Sequence, residues 1–438
     1  MPRLILLRIM ADTNLYENID LAQLKVGMFI RLDLHWMSHP FVTSSFKIKD
    51  SNQINIIRGL GLKTIQYDPA RSDVKAGSRN HAVAPAVSPS PALNEAQLAA
   101  MAAKKARIER MAKQMKALAE CEKKFVRAAD SLKVINTNLF SRPQESIEAT
   151  NQLVDQMVES IMIDEDMALQ MMGSKMGGQE IYHHSLNVAV LSMILGREMK
   201  CTMQEMKSIG VGAVFHDIGK MEIPEKILRK TDTLTNAERS YLEQHPVKGE
   251  TIAKNMKMAP EILDMIRHHH EAVNGAGYPD ALKGPNIQKL TKIVMIANAF
   301  DNYCNMPNPS DSLTPYEALS RMYAKDRNRY DGTALPIFIR AMGVYPPGTV
   351  VRLSNEIIGL VISVNTSKPL RPNILIYDPD VPKNEAIVLD LEQETDINIV
   401  KTLRPGQLPR EVLAYLNPRK RVTYFFDEAP SEGAKGIR

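Results

Sequence analysis

At 438 residues with 44% hydrophobic content, the chain is long enough for two or three domains with their own cores. Its net charge of +5 comes from 55 basic and 50 acidic residues spread along the chain, without a basic tail or arginine-rich arm, which argues against binding a nucleic-acid polymer. Cys121, Cys201 and Cys304 are widely spaced with no CxxC pair, so neither a disulfide framework nor a thiolate zinc site is indicated and a reducing compartment fits best.

The first ten residues, MPRLILLRIM, carry an apolar run from Leu4 to Leu7 that is too short for a secretory core, so a disordered or misassigned start is expected. No later stretch approaches the roughly 18 apolar residues of a membrane span, and a cytoplasmic protein is expected. Residues 18–72 alternate apolar and polar in short runs, Met28 to Leu34 and Thr64 to Tyr67, around helical spacing at Asn52 to Leu60. This predicts a small α+β domain. Residues 73–93 shift to Ala, Pro, Ser and Gly, the composition of a linker.

Residues 94–132 lack Gly and Pro and repeat apolar residues at three- and four-residue steps, predicting one long connector helix. It offers a homodimer seam; a helix lying on its own domain is the alternative. Residues 140–342 carry helical periodicity, broken at Gly177-Gly178, Pro224, Pro260 and the Gly275 to Pro279 loop, which predicts an all-helical bundle. Residues 343–426 turn to β pattern at Val350 to Leu353, Ile357 to Asn365 and Asn373 to Tyr377 and predict a small β-rich extension. The fold class is therefore mainly α.

Seven of the ten histidines fall within residues 180–301. Glu180 and His184 are four apart on a predicted helix and so project from one face, and His216 and Lys220 repeat that spacing. A lone histidine on an apolar helix is more often a core residue than a ligand. The cluster carries the argument instead. His216, Asp217 and Lys220 follow an apolar run, Val211 to Phe215, where burial is costly unless a metal or phosphate pairs them. His245 and His269-His270 add imidazoles, and the latter precede a Gly-rich loop, Asn274 to Pro279, able to bring backbone amides near a ligand. Imidazole and carboxylate without thiolate point to catalytic iron, manganese, zinc or nickel, and seven donors exceed what one open site needs, so two metals are expected.

With these residues placed, the sequence resembles the HD-GYP family of cyclic dinucleotide phosphodiesterases. His216-Asp217 matches the HD pair, followed in place by Gly219-Lys220 and His245-Pro246. His269-His270-Glu271, Gly275, Gly277-Tyr278-Pro279-Asp280 and Leu282-Lys283-Gly284 match the signature loop. Val26 to Phe29, Trp36 and Pro40-Phe41 look like the small N-terminal domain often fused ahead of it, and Gly343 to Gly348 with Val351 to Leu353 like its C-terminal extension.

The resemblance implies an HD-type helical bundle and a cyclic dinucleotide substrate, cyclic di-GMP or 3′,3′-cyclic GMP-AMP. It implies two divalent ions, iron or manganese, held by Glu180, His184, His216, Asp217, His245, His269 and His270, with Asp217 bridging. Asp217 and Lys220 would be catalytic, with Lys220 over the phosphate and Gly275, Gly277, Tyr278 and Pro279 shaping the pocket. Two positions depart from the family. The last ligand, an aspartate, is here Asn298, whose uncharged oxygen weakens that corner and any third metal. The family's basic segment is replaced by Met306 to Ser310, and no Lys or Arg lies between Lys292 and Arg321. A degenerate sensor that binds the nucleotide with little turnover is the alternative, and a general HD phosphohydrolase a weaker one.

Overall fold

In the computed structural model the described residues are 16–34, 38–41, 43–75 and 125–426, excepting 164–168, 173–179, 231, 307, 309–310, 366–367, 380, 384–385 and 417–422, with a few isolated positions between 102 and 123. The chain start, the 76–100 part of the expected linker and helix, Trp36 and Gly177-Gly178 lie outside them.

The N-terminal unit is a four-stranded antiparallel sheet of β1 (Glu17–Asp20), β2 (Phe29–Arg31), β3 (Ser45–Lys47) and β4 (Thr64–Asp68), in the order β1-β4-β2-β3, with helix α1 (Ser51–Arg58). Alternation puts Ile19, Ile30, Ile65 and Tyr67 on the buried face, where Ile54 and Ile57 of α1 meet them. Asp50 caps α1 by accepting from the Gln53 amide at 2.8 Å.

The second unit begins with helix α2, residues 125–138. The expected helix end at 132 is therefore too early. No Gly or Pro intervenes before Pro143, and Ile135 and Leu139 prolong the buried stripe of Phe125, Ala128, Ala129 and Leu132. That stripe packs on the helical unit itself, with the Phe125 ring 5.5 Å from His183. Helices α3 (Pro143–Ile163), α4 (Glu180–Glu198), α5 (Met203–Phe215), α6 (Glu225–Leu228), α7 (Asn236–Leu242), α8 (His245–Asn255), α9 (Pro260–His268), α10 (Lys289–Cys304), α11 (Pro315–Ala324) and α12 (Ala334–Met342) complete the bundle.

At its centre α5 contacts α3, α4, α9 and α10. Thr202 starts it with a reciprocal capping box: its hydroxyl accepts from the Glu205 amide at 3.2 Å, and its own amide donates to Glu205 Oε2 at 2.7 Å. From Met206 to Phe215 the helix is buried apart from Lys207, and each large apolar side chain contributes about 1.5–3 kcal/mol by leaving water. The helix is apolar on all sides because it is surrounded, and its C-terminal end delivers His216 and Asp217 into the interior.

One element departs from the helical expectation. Residues Leu169–Met172 form strand β5, which pairs with β11 (Thr423–Phe426) and, through Gln170, with Ser363. Leu, Gln and Met favour helix locally, but partners some 190 and 250 residues away in sequence supply ladder hydrogen bonds that no local periodicity reveals. The C-terminal strands β6 (Val350–Leu353), β7 (Ile358–Ser363), β8 (Asn373–Ile376), β9 (Val388–Asp390) and β10 (Ile399–Leu403) belong to the same antiparallel sheet. Helix α13 (Arg410–Leu416) and the short strands β9 and β10 lie beyond the three expected strands.

Candidate metal centre

Five side chains are brought together by the ends of helices and one by a helix interior. His184 lies one turn into α4; His216 and Asp217 end α5; His245 opens α8; His269 and His270 follow α9. Helix ends suit this purpose because backbone carbonyls there lack intrahelical partners. The Nδ1 of His216 faces the Ala213 carbonyl at 2.7 Å, that of His245 the Leu242 carbonyl at 2.7 Å, and that of His269 the Ile266 carbonyl at 2.8 Å. A ring nitrogen facing a carbonyl oxygen carries the proton, so each Nε2 presents its lone pair.

Those lone pairs converge. The Nε2 atoms of His184 and His216 are 3.2 Å apart, as are those of His245 and His269. Two acceptors at that distance repel unless a cation lies between them. With metal–nitrogen bonds of about 2.1 Å, such a separation corresponds to two ligands about 100° apart on one ion.

Asp217 divides itself between the two pairs. Its Oδ2 is 3.5 Å from His184 Nε2 and 3.4 Å from His216 Nε2, while Oδ1 is 3.2 Å from His245 Nε2 and 3.7 Å from His269 Nε2. Oδ1 is buried and receives no hydrogen bond. A carboxylate oxygen orphaned among imidazole lone pairs is the donor set of a cation. Two ligand groups result: His184, His216 and Asp217, and Asp217, His245, His269 and His270. The residues therefore fit metal binding, with Asp217 common to both groups.

The protonation states agree with ligation. Burial holds His216 and His270 well below the ordinary imidazole value, and His269 below it, so all three are neutral at pH 7. Burial alone would raise the Asp217 carboxyl; Lys220, then His216, His245 and His269, outweigh it and keep it well below the carboxylate range. Lys220 Nζ sits 2.5 Å from Asp217 Oδ2 and keeps part of its surface exposed.

Close packing sets the spacing. Gly219, in the helical turn Ile218–Glu222, lies against the start of α8, and a Cβ there would overlap the His245 carbonyl oxygen and the Gly249 amide nitrogen. Only glycine lets the Asp217 turn come so near His245.

The glycine-rich loop folds back onto the same corner. The Tyr278 ring stacks on His270, with centroids 4.7 Å apart and planes at 18°, and burial pushes its phenol pKa up. A Cβ at Gly277 would overlap the backbone of Glu271 and Ala272, and Gly275 has φ +79°. Pro279 follows Tyr278 through a cis bond. The buried Glu271 carboxylate accepts from the amides of Asp280 at 2.7 Å and Leu282 at 2.9 Å, fastening the loop. Glu271 thus anchors the loop, a role its place in a motif does not disclose.

Some expected residues stand apart. Glu180 is the first residue of α4, but its side chain lies outside the described residues. Asn298 is buried on α10, and its Oδ1 accepts from Asn302 Nδ2 at 2.7 Å. Asp301, three residues on, meets His184 Nδ1 at 2.6 Å through Oδ2, while its Oδ1 accepts from Asn187 at 2.7 Å and Asn305 at 2.9 Å. It does for His184 what backbone carbonyls do for His216, His245 and His269. The neighbours His183 and His268 serve elsewhere: His183 faces Phe125, and His268 bridges Asp264 and Asp280 at 2.8 and 3.0 Å.

A helical bundle holding a buried histidine–aspartate cluster able to bind metal is the arrangement of an HD domain. Residues 141–334 match the HD domain family, residues 16–150 a domain of unknown function (DUF3391), and residues 350–410 the KOW domain associated with HD domain. With the signature loop in place, these matches support an HD-GYP-type family for the chain. It is 25% identical over 377 residues to the cyclic di-GMP phosphodiesterase PA4108 of Pseudomonas aeruginosa, covering 82% of this chain and 85% of that one. It is 26% identical over 232 residues to the cyclic di-GMP phosphodiesterase PdeB of Borreliella burgdorferi, covering 52% and 61%. To the 3′3′-cGAMP-specific phosphodiesterase 1 of Vibrio cholerae it is 24% identical over 186 residues, covering 42% and 43%.

Proposed function

We propose that the chain is a metal-dependent phosphodiesterase that opens a cyclic dinucleotide, cyclic di-GMP or 3′,3′-cyclic GMP-AMP, to the linear dinucleotide. The observation that carries the reading is Asp217, whose two oxygens face separate histidine groups. The printed activities of the similar proteins support the substrate class. Imidazole and carboxylate donors without thiolate suit iron or manganese. When bound, such ions supply Lewis acidity and lower the pKa of water.

The residues of the chain do the rest. Asp217 stays ionised and joins the two halves of the centre. Asp301 fixes the ring of His184, and the carbonyls of Ala213, Leu242 and Ile266 fix three others, so the donor geometry is set before substrate arrives. Lys220, exposed on one side and anchored on Asp217 on the other, is placed to meet phosphate oxygens as negative charge develops on them. Tyr278 and Pro279 wall the site beside His270, with Gly275 and Gly277 allowing the loop its path. Water adds to phosphorus, the bond to a 3′-oxygen breaks, and that oxygen leaves with a proton. A second cut would give mononucleotides.

No helix among the described residues is long and apolar enough to cross a membrane, and the buried Cys201 and Cys304 are free thiols. Both support a cytoplasmic setting. The alternative, a sensor with little turnover, is favoured by Asn298, which is uncharged and engaged with Asn302. Incubating the protein with manganese or ferrous iron and each cyclic dinucleotide, then resolving products, separates the two. Linear product supports the enzyme; tight binding without product under either metal supports the sensor.

A further inference from the structure

Four imidazoles of the centre are oriented by a polar acceptor: His184 by Asp301, and His216, His245 and His269 by backbone carbonyls. His270 is different. Neither of its ring nitrogens makes a hydrogen bond among the described residues, and rings surround it instead: Tyr278 stacked at 4.7 Å, His269 tilted at 4.2 Å and His245 edge-on at 5.0 Å. The two histidines belong to the same candidate ligand group, so Tyr278 is the neighbour that can be held independently of a metal. Whatever holds Tyr278 sets the direction of the His270 ring.

The loop is fastened at Asp280, just beyond Tyr278 and Pro279. Glu271 accepts from the Asp280 main-chain amide, and Arg267 grips the Asp280 carboxylate with two bonds, Nε to Oδ2 at 2.6 Å and Nη2 to Oδ1 at 2.9 Å. His268 Nε2 adds a contact with Oδ2 at 3.0 Å. The remaining guanidinium nitrogen, Nη1, donates to Glu250 Oε2 at 2.7 Å. Arg267 stands in the last turn of α9, directly ahead of His269 and His270, and Glu250 lies on α8, the helix that His245 opens. One guanidinium thus ties both ligand-bearing helices to the loop. The Arg267 and Asp280 side chains are 27% and 35% exposed, and ion pairs so placed add little to global stability, so the contact matters for local geometry.

We propose that Arg267 is a positioning residue for His270, acting through Asp280 and the Tyr278 ring, an assignment that rests on the metal-centre reading. The two-pronged bond fixes both the distance and the plane of the Asp280 carboxylate. The loop follows Asp280, and the stacked Tyr278 ring keeps His270 turned toward Asp217, His245 and His269.

The test is manganese titration of the full chain without substrate, with bound metal counted by elemental analysis. Arg267→Ala should weaken one class of manganese site by about tenfold, the scale of losing an outer partner, and leave the other class unchanged. Arg267→Lys, which keeps the charge but not the fork, should recover only part of the loss. Tyr278→Ala should weaken the same class, and the two alanine substitutions together should cost no more than either alone, because both act on one ring. Losses that multiply in the double variant, equal loss in both classes, or an Arg267→Ala chain that holds manganese as wild type does overturn the assignment. If Arg267→Ala does not fold, Asp280→Asn, which leaves the loop amides on Glu271, carries the same comparison. Wild type that takes up no manganese overturns the metal centre and the assignment with it. Wild type that takes up manganese but cleaves no cyclic dinucleotide overturns the hydrolase reading alone.

Discussion

His184 and Asp301, 117 residues apart in sequence, meet through Nδ1 and Oδ2 at 2.6 Å. The carboxylate fixes the tautomer that turns His184 Nε2 toward His216 and Asp217. Loss of such an outer partner typically lowers metal affinity by 10- to 100-fold. Asp301→Asn should therefore weaken retention of the ion held by His184, His216 and Asp217 by about that factor, while the other ion stays. Metal titration followed by elemental analysis reads this directly; uniform loss of both ions would show that Asp301 acts on the fold and not on His184.

Gly219→Ala should separate the Asp217 turn from α8. The added methyl meets backbone on both sides and cannot be relieved by a rotamer change. A cost of about 3 kcal/mol or more is expected, toward the upper end for overpacking, together with loss of metal. Denaturant unfolding of the metal-free protein gives the stability term separately; an unchanged midpoint would contradict the close approach.

Stability of the metal-free protein should fall with acid in a defined window. The unfolded chain protonates histidine near pH 6.5, whereas burial keeps folded His216, His269 and His270 neutral to lower pH. The unfolded state then binds more protons, so stability present above about pH 6.5 is lost as pH falls toward the folded values. His268 acts oppositely: burial alone would lower its pKa, but Asp264 and Asp280 raise it, and its contribution disappears as pH rises through that value. Three groups outweigh one, so the thermal midpoint should drop between pH 6.5 and 5. A flat profile there would mean that the imidazoles are not held neutral.

Restoring charge at position 298 should strengthen the centre. Asn298 occupies the same helix as Asp301, one turn earlier, and is buried. Asn298→Asp adds a carboxylate on that face and is expected to slow loss of metal to a chelator; unchanged retention would place residue 298 outside the ligand set.

The sequence made the candidate cluster legible because its chemistry is costly to bury: His216 and Asp217 follow an apolar run, and the structure brings them beside His184, His245, His269 and His270. The Gly-rich loop was legible for a similar reason, since glycine at 275 and 277 marks backbone that must pass close to something. What stayed hidden depends on distant pairing. The contact of Asp301 with His184 arises only where α4 lies alongside α10, and local sequence does not disclose it. Glu271 could be read as part of a motif but not as the acceptor for Asp280 and Leu282. Strand β5 is helix-favouring by composition and is formed by its partners, and α2 outruns its expected end because nothing breaks it before Pro143.

The most direct test of the account is metal stoichiometry with turnover in wild type and in Asp217→Asn, a substitution that preserves shape and removes the bridging charge. Two ions per chain and linear product are predicted for wild type, with both ions and turnover lost together in the variant. A single ion per chain in an active wild type, or a variant that keeps its ions and its turnover, would contradict a centre built around Asp217.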